Sequence, residues 1–252
     1  MNASKVAWIT GSANRRVGWT VAESLAARGV AIVLHSRTAG PNLDNSVNEL
    51  RSRGANAIGI AANLSDDESV RSALAQILTK FGRIDVLVNT AGAWDSKKLE
   101  DVKAADVRMH FEANTLGTFL ACQHAGLAMA KQPEGGCIIT IADWAIERPY
   151  LNYASYFPSK GAIPAMTRSL AVELGTRNSA VRVNCIMPGP VMLPASVPPE
   201  ERERVIRGTL VHREGKPENI AQAVLSLIDN DFITGVCLPV DGGRTIFAPD
   251  FV

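Results

Sequence analysis

One tyrosine and one lysine are spaced so that they could share proton chemistry. The chain has three tyrosines, Tyr150, Tyr153 and Tyr156, and only Tyr156 is followed by a lysine four positions later, Lys160. On a helix this spacing places a phenol and an ammonium on one face. The positive charge favours phenolate and is expected to lower the pKa of the phenol from about 10 toward neutral pH. The pair could act in general acid–base chemistry, although Tyr-x-x-x-Lys alone is a common pattern.

A glycine-containing turn near the start of the chain could bind a phosphate group. Residues 10–18, with the sequence TGSANRRVG, join a short apolar run to a predicted helix. Gly11 permits a tight turn, and Gly18 lets the helix pack closely against the preceding strand. Free N–H groups at the start of a helix bind pyrophosphate well. This turn therefore predicts a dinucleotide site at the first strand–helix junction.

The hydrophobic pattern predicts the scaffold that must position these residues. Short apolar runs predict seven strands, at Val6–Thr10, Val30–Leu34, Ala57–Ala61, Ile84–Val88, Cys137–Ile141, Val181–Met187 and Val236–Val240. Amphipathic stretches predict helices at Trp19–Ala27, Ser46–Arg53, Asp66–Phe81, Ala105–Ala130, Ser155–Thr176 and Glu218–Ile228. The alternation predicts a doubly wound, Rossmann-like α/β fold, with a seven-stranded parallel sheet covered by helices on both faces, as a single domain over residues 1–252. A β/α barrel is the rival fold, but it needs eight strand–helix units.

Glycine and proline mark the ends of these elements. Gly29 and Gly82 lie where the first and third helices are expected to stop. The segment Pro188–Pro199 holds five of the thirteen prolines, so it can be neither regular helix nor central strand. We expect a loop there, after the sixth strand, at the edge of the sheet where ligands bind.

Composition excludes several classes of function. There are 26 Lys and Arg against 25 Asp and Glu, a net charge of +1, which argues against binding to nucleic acid. No apolar run approaches the roughly 20 residues that span a bilayer, and the run Val6–Ile9 is too short for a signal peptide. The four cysteines lack metal or disulfide spacing and are expected to be buried free thiols. We therefore expect a cytoplasmic globular protein without nucleic-acid or membrane partners.

The order of these motifs resembles the short-chain dehydrogenase/reductase family. The turn at residues 10–18 is similar to the family's Thr-Gly-x-x-x-Gly-x-Gly signature, but it is one residue longer and has arginine in place of the middle glycine. That replacement resembles the pteridine reductase branch, whose turn reads Thr-Gly-x-x-x-Arg-x-Gly. The extra residue leaves open whether Arg15 or Arg16 takes this role. The resemblance extends from about Val6 to Gly243 and implies a bound nicotinamide cofactor.

Residues after the second strand predict that the cofactor is NADP(H). A site that prefers NAD places an acid here, and that acid would repel a 2′-phosphate. Here Ser36 is neutral, and Arg37 could hold the phosphate in a forked contact. Arg15 or Arg16 could close over the phosphate from the other side. The alternative is that Arg37 is an ordinary solvated loop arginine.

The resemblance also implies cofactor contacts after the third, fourth and sixth strands. After the third strand, the amide of Asn63 takes the place of the family's adenine-binding Asp. After the fourth strand, Asn89–Gly92 resembles the family's Asn-Asn-Ala-Gly. A Pro-Gly motif follows the sixth strand. The threonine that usually follows that motif is replaced by Met192 and Leu193. The implied cofactor residues are Asn63, Leu64, Asn89, Ala91, Gly92, Pro188, Gly189 and Val191, together with Gly11, Gly18, Tyr156 and Lys160.

The same resemblance assigns catalytic roles. Tyr156 would be the proton donor, Lys160 would lower its pKa and hold the nicotinamide ribose, and Asn114 would kink its helix and support a proton relay. Most of the family has a serine thirteen residues before the tyrosine, but this chain has Asp143, as pteridine reductases do. At the end of a strand this carboxyl is expected to be partly desolvated, with a raised pKa. The alternative for Asp143 is a solvated loop acid.

Substrate and assembly follow from the branch resemblance. Trp94 lies five residues after Asn89, where pteridine reductases carry an aromatic residue that stacks on the pterin. With Asp143 and Arg16 it is assigned to the substrate, and the predicted reaction is NADPH-dependent reduction of a pterin C=N bond. The alternatives are an NADPH-dependent carbonyl reductase acting on a ketoacyl or other keto substrate, and an NADP(H)-binding sensor without turnover. Apolar residues on several faces of Ala105–Ala130 and Ser155–Thr176, including Phe119, Leu127, Met166 and Leu170, together with the resemblance, predict a homotetramer.

Overall fold

The computed structural model describes residues 4–248 and contains a sheet of seven parallel strands. The strands are β1 (Val6–Thr10), β2 (Ala31–Ser36), β3 (Ala57–Ala61), β4 (Val86–Asn89), β5 (Gly136–Ile141), β6 (Val181–Pro188) and β7 (Cys237–Val240). The helices are α1 (Val17–Ala26), α2 (Pro41–Ser52), α3 (Asp67–Phe81), α4 (Ala104–His110), α5 (Gly117–Met129), α6 (Phe157–Gly175), α7 (Pro199–Arg207) and α8 (Pro217–Asp229). The predicted α/β class and strand number are confirmed.

The strand order brings the candidate site together at one edge of the sheet. The order is β3-β2-β1-β4-β5-β6-β7, so the chain reverses its direction of winding between β1 and β4. In a doubly wound sheet, ligands bind at the carboxyl ends of the strands beside this reversal. The turn after β1 and the segments after β4 and β5 all lie at that edge. The Rossmann-like topology therefore positions the predicted residues together.

Two apolar layers hold the sheet between its helices. Side chains alternate along β1, so that Val6 and Trp8 pack in the layer with α3, α5 and α6, whereas Ala7 and Ile9 pack in the layer with α1, α2 and α8. All four side chains are at most 1% exposed. Burial on both faces is what the nearly continuous apolar runs predict for parallel strands.

Two predicted helices differ in the structure, and one helix is additional. The predicted helix Ala105–Ala130 is interrupted, because a π-helical turn at Phe111–Leu116 separates α4 from α5. Helix α2 begins at Pro41, five residues before the prediction, since proline is well suited to the first turn. Helix α7 was not predicted, and it begins at Pro199, where the proline-rich loop ends.

Predicted stop signals and thiols mostly agree with the structure. Gly82 ends α3 in the left-handed conformation at φ = 75°, and Asp66 caps the start of α3 by accepting a hydrogen bond from the Glu68 N–H. Cys122, Cys137 and Cys185 are buried free thiols, but Cys237 is only half-buried, because β7 is an edge strand. Within residues 4–248, no helix has the length and apolar character needed to cross a membrane.

Candidate active site

Tyr156 and Asp143 are in direct contact. The Tyr156 hydroxyl donates a hydrogen bond to Oδ2 of Asp143 at 2.9 Å, and Oδ1 of Asp143 accepts one from the Ala145 N–H at 2.8 Å. Asp143 follows β5 and begins a short 3₁₀ turn at Trp144–Ile146, while Tyr156 precedes α6. Tyr156 is only 5% exposed. The predicted carboxyl–phenol pair is thus formed, and Asp143 is not a solvated loop acid.

Burial and charge determine the protonation of this pair. Burial raises the pKa of Asp143, as predicted, and its hydrogen bonds and Lys160 only partly offset that effect. Burial also raises the pKa of Tyr156 well above its usual range, and the Asp143 carboxylate raises it further. The pKa of Tyr156 is therefore raised in this state, because burial and the neighbouring carboxylate both oppose ionisation, and the lowering expected from Lys160 stays a prediction.

Lys160 lies one helical turn after Tyr156 and is almost fully buried, at 7% exposure. Its Nζ donates a hydrogen bond to the Ile141 carbonyl at 2.9 Å. Burial lowers the pKa of Lys160, and the Asp143 carboxylate counteracts that effect. The ammonium is thus anchored to the end of β5, the strand that leads into Asp143.

Asn114 lies in the π-helical turn and joins three parts of the site. Its Oδ1 accepts a hydrogen bond from the Ala93 N–H at 2.7 Å, while Nδ2 donates to the Ala93 carbonyl and to Ser159 Oγ, both at 3.0 Å. A Cβ on Gly92 would lie 2.8 Å from Asn114 Oδ1, so only glycine fits that approach. The predicted break of the helix at Asn114 is present. Its side chain fixes the loop after β4 against α6.

The turn at residues 10–18 is held by close contacts that leave no room for a side chain at its two glycines. Gly11 has φ = 65°, and a Cβ there would lie 2.8 Å from Ala91 Cα. A Cβ on Gly18 would lie 2.4 Å from the Thr90 side-chain oxygen. The Ala91 N–H also donates to Thr10 Oγ1 at 3.1 Å. The turn and the segment after β4 are therefore packed backbone to backbone.

His35 was not predicted as a site residue, yet it braces this turn. Its Nδ1 accepts a hydrogen bond from the Gly11 N–H at 3.0 Å, and its Nε2 lies 2.9 Å from the Ala62 carbonyl. A carbonyl can only accept, so Nε2 carries the proton and the ring is neutral. Burial lowers the pKa of His35 to about 4, which keeps it neutral at physiological pH. In the sequence, a histidine within the apolar run of β2 is the feature that could have indicated this role.

The two arginines of the turn have different surroundings. Arg15 forms an ion pair with Glu49, and its guanidinium carbon lies 3.7 Å from the centre of the Trp19 ring. Arg16 and Arg37 are exposed, and neither has a carboxylate within 4.0 Å in the described part of the chain. Ser36 Oγ donates to the Thr38 carbonyl at 2.6 Å. The geometry therefore leaves Arg16 and Arg37 as the cations available beside the turn.

Three residues predicted to contact the cofactor are engaged within the protein. Asn89 is 2% exposed and accepts a hydrogen bond from Thr10 Oγ1 at 2.6 Å, so its side chain braces the sheet. Oδ1 of Asn63 accepts from the Ser65 N–H at 3.3 Å. Leu64 is 8% exposed, and a Cβ on Gly117 would lie 3.2 Å from Leu64 Cβ. Asn89 and Leu64 therefore shape the site from inside the protein.

The loop after β6 is tied to the rest of the chain. A Cβ on Gly189 would lie 2.5 Å from Asp241 Cα, and Val191 pairs with Gly215 in an isolated bridge. Glu214 accepts from the Leu193 N–H at 2.6 Å and forms an ion pair with Arg202 of α7. The predicted loop from Pro188 is therefore present and fixed at both ends.

Aromatic side chains form a wall beside Asp143. Trp94 stacks on Tyr153, with ring centres 5.3 Å apart and planes at 15°, and Trp144 stacks on Tyr150 at 6.2 Å. Trp94 and Tyr150 remain 44% and 42% exposed, so both offer surface to a ligand. Sequence reasoning noted the crowding of tyrosines but did not assign Tyr150 or Tyr153 to the site.

His110 is a second histidine that the sequence did not indicate. Its ring lies edge-on to Tyr156, with centres 5.8 Å apart, and it is 1% exposed. Neither of its ring nitrogens has a hydrogen-bond partner within the described residues. Burial lowers the pKa of His110. His110 therefore packs as a neutral aromatic ring against Tyr156.

Comparisons with known proteins agree with this fold. A family model described as enoyl-(acyl carrier protein) reductase matches residues 11–245. Subunit BbsD of (2S)-[(R)-hydroxy(phenyl)methyl]succinyl-CoA dehydrogenase from Thauera aromatica is 33% identical over 252 residues, covering 97% of this chain and 98% of the relative. The 7alpha-hydroxysteroid dehydrogenase of Escherichia coli K12 is 33% identical over 245 residues, covering 95% and 93%.

A solved structure extends the comparison to three dimensions. The crystal structure of a blue fluorescent protein from a metagenomic library, in complex with NADPH, matches with a TM-score of 0.86 and 33% identity, covering 97% of this chain and 99% of the other. The family model alone spans most of the sheet and the residues described above. The chain therefore belongs to the short-chain dehydrogenase/reductase family of oxidoreductases, whose members bind NAD(P)(H).

Proposed function

We propose that this chain is an NADP(H)-dependent reductase whose substrate is a flat nitrogen heterocycle of the pterin class, reduced at a C=N bond. The observation that carries the proposal is the carboxyl of Asp143, held 2.9 Å from the Tyr156 hydroxyl and beside exposed aromatic rings. A carboxylate has no proton to donate to a ketone oxygen, but it accepts hydrogen bonds well from the N–H groups of an aminopyrimidine.

Residues around the first turn fit a cofactor with a 2′-phosphate. Arg16 and Arg37 are exposed cations at the ends of β1 and β2, and Ser36 takes the place of an acid. The start of α1 has no side-chain cap, so its N–H groups remain available to a pyrophosphate. Arg15 is held by Glu49 and Trp19, which assigns the arginine of the turn to Arg16 in this proposal.

The proton chemistry falls to Tyr156 and Asp143. NADPH, when bound, supplies the hydride. Tyr156 gives its hydroxyl proton to the nitrogen or oxygen of the substrate as that atom gains negative charge. Since burial raises the pKa of both groups, a proton is readily retained on the pair near neutral pH. Asp143 can then take up a proton from solvent and pass it to Tyr156 through their hydrogen bond.

Lys160 and Asn114 support the proton transfer from Tyr156. Lys160, anchored on the Ile141 carbonyl, supplies a positive charge near Asp143 and is the group that would hold the nicotinamide ribose. Asn114 fixes Ala93 and Ser159, so the loop after β4 and the first turn of α6 keep their spacing. A non-catalytic sensor would not need this combination, which argues against the sensor alternative.

The aromatic wall supports a flat substrate. One face of Trp94 already lies on Tyr153, so a planar ring would stack on its other face. Tyr153 is held in turn by Tyr150, whose ring lies edge-on to it with the ring centres 5.0 Å apart. A rigid, partly exposed ring is well suited to recognise a heterocycle.

Carbonyl reduction is the second candidate. It is favoured by two relatives named as dehydrogenases, one of a hydroxyacyl-CoA type compound and one of a hydroxysteroid. Such substrates would also take a proton from Tyr156. Their ketone oxygen would lie against the Asp143 carboxyl, although a neutral hydroxyl group would be a better hydrogen-bond donor to it.

The test is NADPH oxidation by the purified protein with a dihydropterin, with an acetoacetyl thioester and with no substrate. We expect the dihydropterin to be reduced faster than the thioester, and no turnover without substrate. Faster reduction of the thioester would replace the pterin proposal with the carbonyl one. NADPH binding without turnover of either substrate would favour the sensor.

A further inference from the structure

Two cysteines face each other across neighbouring strands of the sheet. Cys185 of β6 and Cys237 of β7 are directly paired in the parallel sheet. Paired residues on adjacent strands point to the same face, and the strands lie about 4.8 Å apart. That spacing is within the range of Cα separations that a disulfide spans. Both side chains pack against Ile163 of α6 in one apolar cluster.

The two thiols are unequal in exposure and charge. Cys237 is half-buried, and its Sγ accepts a hydrogen bond from Arg168 Nη1 at 3.6 Å. The Cys185 thiol is buried beside Cys237 and donates a hydrogen bond to the Ile186 carbonyl at 3.4 Å. The neighbouring Cys185 thiol and the Arg168 guanidinium lower the pKa of Cys237, whereas the pKa of Cys185 is raised by its neighbour and by burial. A thiolate therefore forms preferentially at the more accessible sulfur.

The remaining cysteines lack these features. Cys122 and Cys137 are 0% and 4% exposed, and burial raises their pKa to about 12 and about 11. Buried thiols in apolar surroundings are inert toward oxidants. They serve as internal controls within the same chain.

We propose that Cys237 is a peroxide-reactive site and that Cys185 is its resolving thiol, so that the two close a reversible disulfide between β6 and β7. The oxidant is a hydroperoxide, with hydrogen peroxide as the simplest case. The Cys237 thiolate attacks one peroxide oxygen, the O–O bond breaks, and hydroxide leaves with a sulfenic acid remaining on Cys237. Cys185 sulfur then attacks the Cys237 sulfur, and the sulfenic oxygen leaves as water together with the thiol proton. Two thiols are oxidised and one peroxide is reduced.

The experiment treats the native protein with hydrogen peroxide, followed by thiol titration and peptide mapping. We expect two of the four thiols to disappear, a mass decrease of about 2 Da, and a linked pair of peptides that contain Cys185 and Cys237. Dithiothreitol should restore all four thiols. Equal reactivity of Cys122 or Cys137, or a product that carries only sulfinic acid on Cys237, would overturn the proposal.

Variants separate the reactive thiol from its partner. Cys237→Ser should abolish the loss of thiols, whereas Cys185→Ser should leave a Cys237 sulfenic acid that dimedone traps. Arg168→Gln should slow the oxidation of Cys237 by about tenfold, because the stabilising charge is removed. Arg177→Gln, two residues after the end of α6, is the matched control, since Arg177 pairs with Glu173 and not with a thiol. An equal rate in both arginine variants would exclude the assigned role of Arg168 and, with it, the proposed basis for a reactive Cys237.

Discussion

The Tyr156 hydroxyl donates its hydrogen bond to Asp143, and this contact links a strand end to a helix start thirteen residues later. The phenol is therefore paired with a negative charge, while Lys160 is anchored on a backbone carbonyl. Asp143 is consequently the charge that most directly controls how readily Tyr156 keeps its proton.

Replacing Asp143 by asparagine should change the pH dependence of reduction. The carboxylate raises the pKa of Tyr156, so removing its charge should lower that pKa. Reduction requires the protonated phenol, and the alkaline limb of kcat should therefore move to lower pH by about one unit. Profiles of kcat for wild type and Asp143→Asn, with a keto substrate that both reduce, measure this shift. A limb that stays in place or moves to higher pH would contradict the role given to Asp143.

Asp143→Ser tests the choice of substrate. Serine is the residue most of the family has here, and it should support reduction of a ketone better than a carboxylate does. We expect the variant to lose dihydropterin reduction by about tenfold or more, the value of one charge-assisted hydrogen bond, and to bind NADPH normally. Trp94→Ala is the companion variant and should mainly raise KM, since stacking exists in both ground and transition states. Unchanged dihydropterin turnover in Asp143→Ser would exclude the pterin assignment.

Cofactor preference should depend on Arg37. We expect NADPH to bind at least about tenfold more tightly than NADH, because one charge-assisted contact to the 2′-phosphate contributes roughly that factor. Arg37→Asp should reduce or reverse this ratio in a fluorescence titration. Arg15→Gln is the control, since Arg15 is engaged by Glu49 and Trp19 and should change the ratio little. Equal affinities of wild type for the two cofactors would refute the preference.

His35 should make the stability of the protein sensitive to acid. Its pKa is lowered to about 4 in the folded state, against 6.5 as the ordinary value, so the unfolded chain binds the extra proton first. The contribution to the free energy of unfolding is complete above pH 6.5 and is lost as the pH falls toward 4, by up to about 3 kcal/mol.

Two amide variants test this contribution. In His35→Asn the side-chain oxygen can replace Nδ1 as acceptor for the Gly11 N–H, and no titratable group remains. Urea denaturation should show a smaller loss of stability between pH 6.5 and pH 4 than in wild type. His35→Gln places its amide nearer the Ala62 carbonyl and should weaken NADPH binding more than His35→Asn does. An identical pH dependence in wild type and both variants would show that His35 does not titrate in this way.

The exposed apolar residues of α5 and α6 predict assembly into a homotetramer. Phe119, Leu127 and Val172 are 38%, 40% and 70% exposed, which is unusual for large apolar side chains on the helices of a monomer. Of the residues first suggested for this face, Leu170 is 7% exposed and belongs to the core instead. Light scattering should give about four times the 26.9 kDa mass of one chain.

A paired substitution checks which face assembles. Phe119→Asp with Val172→Asp should lower the measured mass, whereas Phe232→Asp, in the loop between α8 and β7 and 97% exposed, should leave the association through α5 and α6 intact. A wild-type mass near that of a single chain would refute the prediction.

The predictable part of the fold is the part that local pattern controls. The strand containing Trp8 and Ile9 was located to the residue, because both faces of a central parallel strand are apolar. The hydrophobic pattern does not predict helix α7, because its sequence, PEERERVIR, has no buried residue and therefore no apolar periodicity. The start of α2 was placed too late, since Gly40 and Pro41 also suit a turn.

The predictable part of the site is likewise limited by distance along the chain. Tyr156 and Lys160 share one helical turn, so their spacing alone indicated a pair. The ion pair of Arg15 with Glu49 joins residues 34 positions apart, so only the folded turn against α2 shows that Arg15 is engaged within the protein. The stacking of Trp94 on Tyr153 depends in the same way on how two loops meet. Side-chain partners across elements are set by packing, which residue type does not encode.

The π-helical turn at Phe111–Leu116 makes the length of this segment as important as its composition. Each residue of an α-helix advances the chain by about 100° and 1.5 Å. Deleting one residue from the turn would restore an α-helical repeat and would shift the side chains within the turn onto other faces of the helix. Asn114 could then no longer reach Ala93 and Ser159 together. Insertions and deletions should therefore be far less tolerated between these residues than amino-acid exchanges on the exposed face of α4.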